Sequence, residues 1–97
     1  TKLRALYQRR KGRDLFDLYW ALSKHEVDTQ KVIQCYKAYM DFSVDNPPTK
    51  KQFQANMEEK MKDKEFLQDI HSILKPDVVY DNLDAWEIVR HKLIEKI

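Results

Sequence analysis

The chain is short of the residues that build tight turns and cross-links. Its 97 residues include one glycine, three prolines and one cysteine. A single glycine excludes the glycine-rich loop of a Walker or dinucleotide-binding site. It also argues against a β-sandwich or barrel, which needs many turns. The lone cysteine, Cys35, excludes an internal disulfide and fits a reducing compartment, so we expect a cytoplasmic location.

Long apolar runs are missing as well. No run of 18 apolar residues occurs, so we expect no membrane span, and no signal-peptide pattern is present. The apolar share of 42% and the aromatic share of 11% exclude a disordered chain. Because the sequence starts at Thr1, without methionine and already inside an amphipathic pattern, we expect residues 1–97 to be one domain of a longer protein.

The sequence does have the periodicity of amphipathic helices. Strong helix formers dominate and apolar residues recur at spacings of three and four, which predicts an all-α bundle of five to six helices. A first helix is expected to end or bend at Gly12, and a second to begin with Asp14 as its N-cap and run to about Lys24. Their apolar faces comprise Leu3, Leu6, Tyr7, Leu15, Leu18, Tyr19 and Leu22, with Phe16 and Trp20 at the side.

The rest of the chain has clear start and stop signals. A third helix, capped by Asp28 or Thr29, is followed by a break at Asp45–Pro48, because proline cannot continue a helix. Thr49 and Gln52 then form a capping box for a fourth helix. A later apolar stripe stops at Lys75–Pro76, a connector spans residues 78–80, and Asp81 or Asp84 starts the last helix. The apolar positions are Val32, Tyr36, Tyr39, Met40, Phe53, Met57, Met61, Phe66, Leu67, Ile70, Ile73, Leu74, Leu83, Trp86, Val89 and Leu93.

Positive charge is concentrated at the start of the chain. Residues 1–13 hold six basic side chains and no acidic one, which gives them a charge of +6. Since the net charge of the whole chain is +2, residues 14–97 have a net charge of −4. Lysine and arginine neutralise phosphate, which indicates a nucleotide or nucleic acid as a partner rather than a membrane. The plainer alternative for a residue such as Lys2 is an exposed helix surface. The candidate phosphate-binding residues are Lys2, Arg9, Arg10 and Arg13.

Two carboxylates follow this basic segment directly. Asp14 and Asp17 could hold a divalent metal through oxygen, but both also suit the first turn of a helix, where the dipole favours negative charge. The N-cap interpretation is strong for Asp14. Asp17 lies close to a face expected to be buried, where a carboxylate needs a partner such as Arg13, a lysine or a metal. Arg13 itself is expected to pair with an acid on its own turn or across the core.

The other reactive and aromatic side chains give weaker signals. The three histidines have no metal-ligand spacing to one another or to Cys35, so we expect no zinc site and a semi-buried, apolar role for Cys35. Tyr7, Tyr19 and Trp20 could stack on RNA bases, although their helical spacing favours core packing. Where exposed, aromatic residues would instead form a protein-interaction surface. The candidates for it are Trp20, Tyr36, Tyr39 and Trp86.

A mixed string near the start carries a family resemblance. It has the pattern K-x-x-A-L-x-x-R-x-x-x-R-D-L-x-D-L, formed by Lys2, Ala5, Leu6, Arg9, Arg13, Asp14, Leu15, Asp17 and Leu18. This string resembles the C-terminal part of the nucleotidyltransferase AbiEii/AbiGii toxin family, from bacterial abortive-infection and type IV toxin–antitoxin systems. Residues 65–70, followed by a helix around Trp86, are also similar to that family's tail.

The resemblance implies a polymerase-β-like nucleotidyltransferase whose metal-binding acids lie in an N-terminal α/β half. Lys2 matches the family lysine that contacts nucleotide phosphates. Asp17 is our match for the family aspartate, with Asp14 as the alternative in the same string. The implied activity is Mg²⁺-dependent transfer of a nucleotide from an NTP to an acceptor such as tRNA or another RNA, with an antitoxin protein as a further partner.

The chain departs from the family pattern in one respect. It contains no G-G-T/S-type motif and no acidic pair on a strand. Since metal is expected to activate the attacking oxygen and shield the triphosphate, we expect these 97 residues to be catalytically inert by themselves and to hold no metal. The alternative functions are a small helical nucleic-acid-binding module and a protein-interaction module.

Overall fold

A computed structural model describes residues 2–43, 47–71, 74 and 80–97. Within these ranges the chain forms six α-helices, one short 3₁₀ helix and no strand, which confirms the predicted all-α bundle. Predictions for Asp45, Asn46, Ile73, Lys75–Pro76 and residues 78–79 fall outside the described residues. The elements are α1 (Lys2–Gln8), α2 (Gly12–Lys24), α3 (Thr29–Ser43), α4 (Lys50–Lys60), α5 (Lys64–Gln68), α6 (Asn82–Lys92) and the 3₁₀ helix Ile94–Lys96.

Helix α2 is the centre of the bundle. It packs most extensively against α6, and also against α1 and α5. Leu15, Leu18 and Leu22 are buried on its inner side, as are Trp86 and Val89 on α6. Full burial of such side chains contributes roughly 1.5–3 kcal/mol each, so this contact stabilises the bundle. Because α1 also packs on α2, Lys2 of α1 lies beside Asp17 of α2.

Three predicted helix starts are confirmed by their capping hydrogen bonds. The Asp28 carboxylate accepts from the backbone N–H of Lys31 at 3.1 Å, at the start of α3. The capping box of α4 is complete, with distances of 3.2 Å and 2.9 Å between Thr49 and Gln52. Asp81 caps α6 through its side chain. These bonds satisfy N–H groups that a helix leaves without partners, so the sequence signals were reliable here.

The junction between α1 and α2 differs from the prediction. Helix α1 ends at Gln8, and Gly12 is the first residue of α2 rather than a terminator of α1. A Cβ atom on Gly12 would lie 2.2 Å from the carbonyl oxygen of Phe66, so glycine is what permits α2 to approach α5 this closely. The N-cap position belongs to Lys11, and the prediction that Asp14 is the N-cap is wrong. Its carboxylate points into the interior instead.

Helix α5 is shorter than the apolar stripe predicts. The stripe runs on to Leu74, but the helix ends at Gln68 and is followed by turns. The next residue, Asp69, turns towards α2, where its carboxylate accepts the backbone N–H of Arg13 at 3.2 Å. Arg13 therefore pairs with an acid across the fold, as expected.

Several side chains predicted to lie in the core are exposed. Tyr39 is 40% exposed, and the guanidinium of Arg4 lies over its ring, 4.8 Å from the ring centroid. Leu83 is 60% exposed and borders an open cleft. Cys35, expected to be semi-buried, is also exposed. Helical spacing alone did not reveal these positions, because a stripe shows which residues share a face and not how far the neighbouring helix extends.

Candidate functional site

Lys2 and Asp17 meet on the surface where α1 packs against α2. The Nζ atom of Lys2 lies 2.9 Å from Oδ2 of Asp17. The Lys2 side chain is 57% exposed and the Asp17 side chain 41% exposed, so both remain accessible to a ligand. A lysine ammonium has three N–H donors, and one carboxylate oxygen uses one of them. The pair therefore keeps donor capacity for a further anion.

Asp14, the alternative aspartate, has a different environment. Its side chain is fully buried. The Arg9 guanidinium donates to both of its carboxylate oxygens, from Nε at 3.1 Å and from Nη2 at 2.7 Å. This bidentate hydrogen bonding and the negative charge of Asp14 raise the pKa of Arg9. Asp14 thus serves as a buried anchor for Arg9, and its oxygens do not face solvent.

The other two arginines of the basic segment also bind carboxylates. Arg10 donates from Nη1 to Asp63 at 2.9 Å, linking the α1–α2 turn to the turn before α5. The side chain of Arg13 lies 3.6 Å from Asp69. Each of the four candidate phosphate-binding residues therefore has a carboxylate partner. The fold brings acids from later in the sequence to the basic segment, which offsets much of its charge.

Lys60 is a buried residue that binds the end of α1, and its role was not predicted from the sequence. Only 3% of the residue is exposed. Its Nζ donates to the backbone carbonyls of Leu6 and Tyr7 in the last turn of α1, the latter at 2.7 Å. Such carbonyls have no partner within their own helix, so Lys60 fixes the end of α1 against α4.

Burial and charge make Lys60 an unusual lysine. Removal from water, aided by the nearby positive charge of Arg10 and opposed by Asp14, lowers the pKa of Lys60 to about 8. A signal for its burial was present in the sequence. Phe53, Met57 and Lys60 are spaced as i, i+4 and i+7, which places the lysine on the buried face of α4.

An apolar cavity adjoins the Lys2–Asp17 pair. Its volume is about 360 Å³, and Lys2 forms part of its wall. Leu18 and Leu22 of α2 supply one side, Val32 of α3 another, and Cys35 also lines it. The cavity thus places an aliphatic surface next to an accessible ammonium group.

Comparison with known proteins decides the family. Residues 1–90 of the 97 match the family described as nucleotidyl transferase AbiEii toxin, type IV TA system. The chain belongs to the AbiEii toxin family. Neither a search of curated proteins nor a search of solved structures gave a match. The match confirms the resemblance seen in the string from Lys2 to Leu18. The matched region also includes the middle of the chain, whose sequence has only generic helical character.

Asp14 and Asp17, the two carboxylates considered for a divalent metal, lie in different environments, one fully buried and one partly exposed. None of the histidine, cysteine, aspartate and glutamate side chains described in this AbiEii chain gather in a group of three or more that could hold a metal. Asp14 and Asp17 are each engaged by a cation instead. Among the same residues, no helix is long and apolar enough to cross a membrane.

Proposed function

We propose that this chain is the helical C-terminal part of an AbiEii nucleotidyltransferase that transfers a nucleotide from an NTP to an acceptor RNA such as tRNA in the cytoplasm. The observation that carries the proposal is the accessible Lys2–Asp17 pair, 2.9 Å apart. By resemblance, we match these two residues to the family's lysine and aspartate. The family match over residues 1–90 supports the activity class.

In this proposal, Lys2 binds the phosphates of the incoming nucleotide. Its ammonium is a point charge on a flexible stem, suited to neutralising phosphate oxygens. Asp17 accepts one N–H of that ammonium and holds it at the edge between α1 and α2. We assign this role to Asp17 and not to Asp14, because Asp14 is buried and both its oxygens are bound by Arg9.

The arginines are proposed to support the site in two ways. Arg9 holds Asp14 inside the bundle, and Arg10 and Arg13 fasten the start of α2 to the α5 region through Asp63 and Asp69. Their side chains are 52%, 65% and 53% exposed, so each can also reach a phosphate. We also propose that magnesium is held by acids other than the residues described here, and that the chain alone is inert.

Nucleotide incorporation by the complete toxin tests this proposal. We expect Lys2→Ala to lower the rate of incorporation into RNA by about a hundredfold, as loss of a single charge-stabilising donor does elsewhere. Lys51→Ala is the matched control, an exposed lysine on α4. Because the Lys2–Asp17 pair is exposed, its loss should change stability by no more than about 1 kcal/mol, so the effect would not come from unfolding. An unchanged rate in Lys2→Ala would remove this residue from the site.

Binding of an antitoxin protein is a second candidate role for the helical surface, since the family belongs to a type IV TA system. Phe42 is 92% exposed and Tyr39 40% exposed, and they lie three residues apart on α3. Large exposed apolar side chains of this kind favour a protein contact. We expect Phe42→Ser to reduce co-purification of the co-expressed antitoxin. Undiminished co-purification would exclude this surface.

A further inference from the structure

The apolar cavity separates helices α2 and α3 on one side of the bundle. Helix α2 packs on α1, α5 and α6, and α3 packs on α1, whereas α2 and α3 make little direct contact with each other. The cavity lies between them and has a volume of about 360 Å³. Leu18 and Leu22 line it from α2, and Val32 and Cys35 line it from α3. These side chains therefore have room beside them for a further apolar group.

The cavity wall is almost entirely aliphatic. Leucine, valine and alanine side chains make up most of it, and the described residues that line it include no aromatic ring, hydroxyl or amide side chain. Such a wall gives a polar ligand few hydrogen bonds and a flat ligand no ring on which to stack. Each methylene group that moves from water to this wall favours binding, so the wall suits an alkyl chain. Ligand sites span roughly 300–1,000 Å³, and a cavity at the small end of this range accommodates an unbranched chain of about ten carbons.

The charged groups at the cavity favour an anionic ligand. Lys2 and Lys31 line it, with Asp28 as the one carboxylate among its described lining residues. The Lys2 ammonium is paired with Asp17, and the Asp28 carboxylate accepts the backbone N–H of Lys31 at the start of α3. The Lys31 ammonium has no carboxylate partner within 4.0 Å in the part of the chain that the structure describes. An ammonium with unused donors beside an aliphatic wall suits a ligand with an apolar body and an anionic end.

The surroundings of the cavity favour a small molecule over a protein segment. A protein-binding surface is a contiguous exposed apolar patch. Across residues 2–43, 47–71, 74 and 80–97, the large apolar side chains that are exposed all lie outside the cavity lining: Trp20, Tyr39, Phe42 and Leu83. Asp28 and Lys31, which do line the cavity, are exposed and charged. The cavity is therefore a separate apolar pocket with a charged border.

We propose that this cavity is a binding site for a free, single-chain aliphatic carboxylate of about ten carbons. The alkyl chain lies between α2 and α3, and the carboxylate accepts hydrogen bonds from the Lys31 ammonium. The wall recognises the alkyl chain and Lys31 recognises the charge, so a neutral alkyl compound or a short-chain acid satisfies only one of the two. This site is separate from the proposed transfer of nucleotides, and its test needs no catalysis.

Protection of Cys35 by decanoate tests the proposal in the 97-residue chain. Cys35 is the only cysteine of the chain, it is exposed, and it lines the cavity, so a bound alkyl chain should cover its thiol. We expect decanoate, well below the concentration at which it forms micelles, to slow alkylation of Cys35 by iodoacetamide several-fold. Butyrate, with the same carboxylate and a much shorter tail, should give no protection. The neutral 1-decanol, with the tail but not the charge, should protect less than decanoate.

A substitution at Lys31 tests the recognition of the charge. Lys31→Met keeps an unbranched side chain and removes the ammonium. It should weaken decanoate binding, measured by isothermal titration calorimetry, about three- to fivefold, and leave protection by 1-decanol unchanged. Lys37→Met is the matched control, at an exposed lysine of α3 outside the cavity, and should bind decanoate as the original chain does.

A second substitution tests the position of the alkyl chain. Ala21 lines the cavity, and Ala21→Leu should fill part of it without weakening the helix, which should lower the affinity for decanoate about tenfold. Ala38→Leu is the matched control, at an exposed position of α3 outside the cavity, and should leave the affinity unchanged. Circular dichroism establishes that the variants are folded. If one is not, the comparison of decanoate, butyrate and 1-decanol on the original chain still decides.

Three results would overturn the proposal: alkylation of Cys35 at a rate indifferent to decanoate, equal protection by decanoate and 1-decanol, or unchanged decanoate affinity in a folded Ala21→Leu variant. Protection by vesicles of an anionic phospholipid, without protection by decanoate, would assign the cavity to a membrane lipid and would also overturn it. None of these results changes the expectation for nucleotide incorporation by Lys2→Ala, so the two proposals fail independently.

Discussion

The buried ammonium of Lys60 should make the stability of the bundle depend on pH in an unusual direction. The pKa of Lys60 is about 8 in the folded chain, against an ordinary value of 10.5. Between these two values the unfolded chain binds the proton more readily than the folded chain does. The free energy of unfolding should therefore rise as the pH increases from about 8 to 10.5.

The size of the effect follows from the shift. Each pKa unit corresponds to about 1.4 kcal/mol, so the full difference approaches ~3 kcal/mol, and about 2 kcal/mol of it should appear between pH 7 and pH 9.5. The positive charge of Arg10 also lowers the pKa of Lys60. Removing that charge should therefore reduce the rise in the free energy of unfolding.

Urea unfolding at pH 7 and pH 9.5 measures this change in the free energy of unfolding. Lys60→Met removes the titrating group while keeping an unbranched side chain of similar length, and Lys51→Met is the control at an exposed position of the same helix. Between pH 7 and pH 9.5, the free energy of unfolding should rise by about 2 kcal/mol more in the original chain than in Lys60→Met. Lys51→Met should show the same gain as the original chain. Equal pH dependence in the original chain and in Lys60→Met would refute the account of Lys60.

Two further substitutions test the α1–α2 junction. Gly12→Ala should raise helix propensity by up to about 1 kcal/mol, but the added Cβ would lie 2.2 Å from the Phe66 carbonyl oxygen, and relieving that contact costs about 1–3 kcal/mol. We expect a lower thermal midpoint, and a higher one would contradict the close approach of α2 to α5. Asp14→Asn should lower the free energy of unfolding by about 1–3 kcal/mol because it weakens a buried, bidentate partner of Arg9. An unchanged urea midpoint would show that this pair is not structural.

The parts of the fold that were predictable are those determined by local chemistry. The capping box of Thr49 and Gln52 satisfies backbone groups within four residues of sequence, and the structure has it as predicted. The buried leucines of α2 follow from their spacing. The start of α2 was not predictable in this way, because Gly12 packs against the Phe66 carbonyl and Asp14 is bound by Arg9, contacts that helical spacing does not reveal.

The candidate site, like the fold, could be predicted only in part from the sequence. The string around Lys2 and Asp17 was visible in the sequence, and it pointed to the correct family. The carboxylates that pair with Arg10 and Arg13 come from residues 63 and 69, so the sequence overstated the free positive charge of the basic segment. Lys60 was overlooked because a lysine is rarely buried, even when its spacing places it on an apolar face.

The central claim is that Lys2 and Asp17 act as one unit at the nucleotide site. A double-mutant cycle on nucleotide incorporation by the complete toxin tests it most directly, with Lys2→Met, Asp17→Asn and the double variant. Residues that act as a unit give strongly non-additive effects. We expect both single variants to lose activity and the double variant to be about as slow as the slower single one. Normal incorporation in Asp17→Asn, or losses that simply multiply, would contradict this claim.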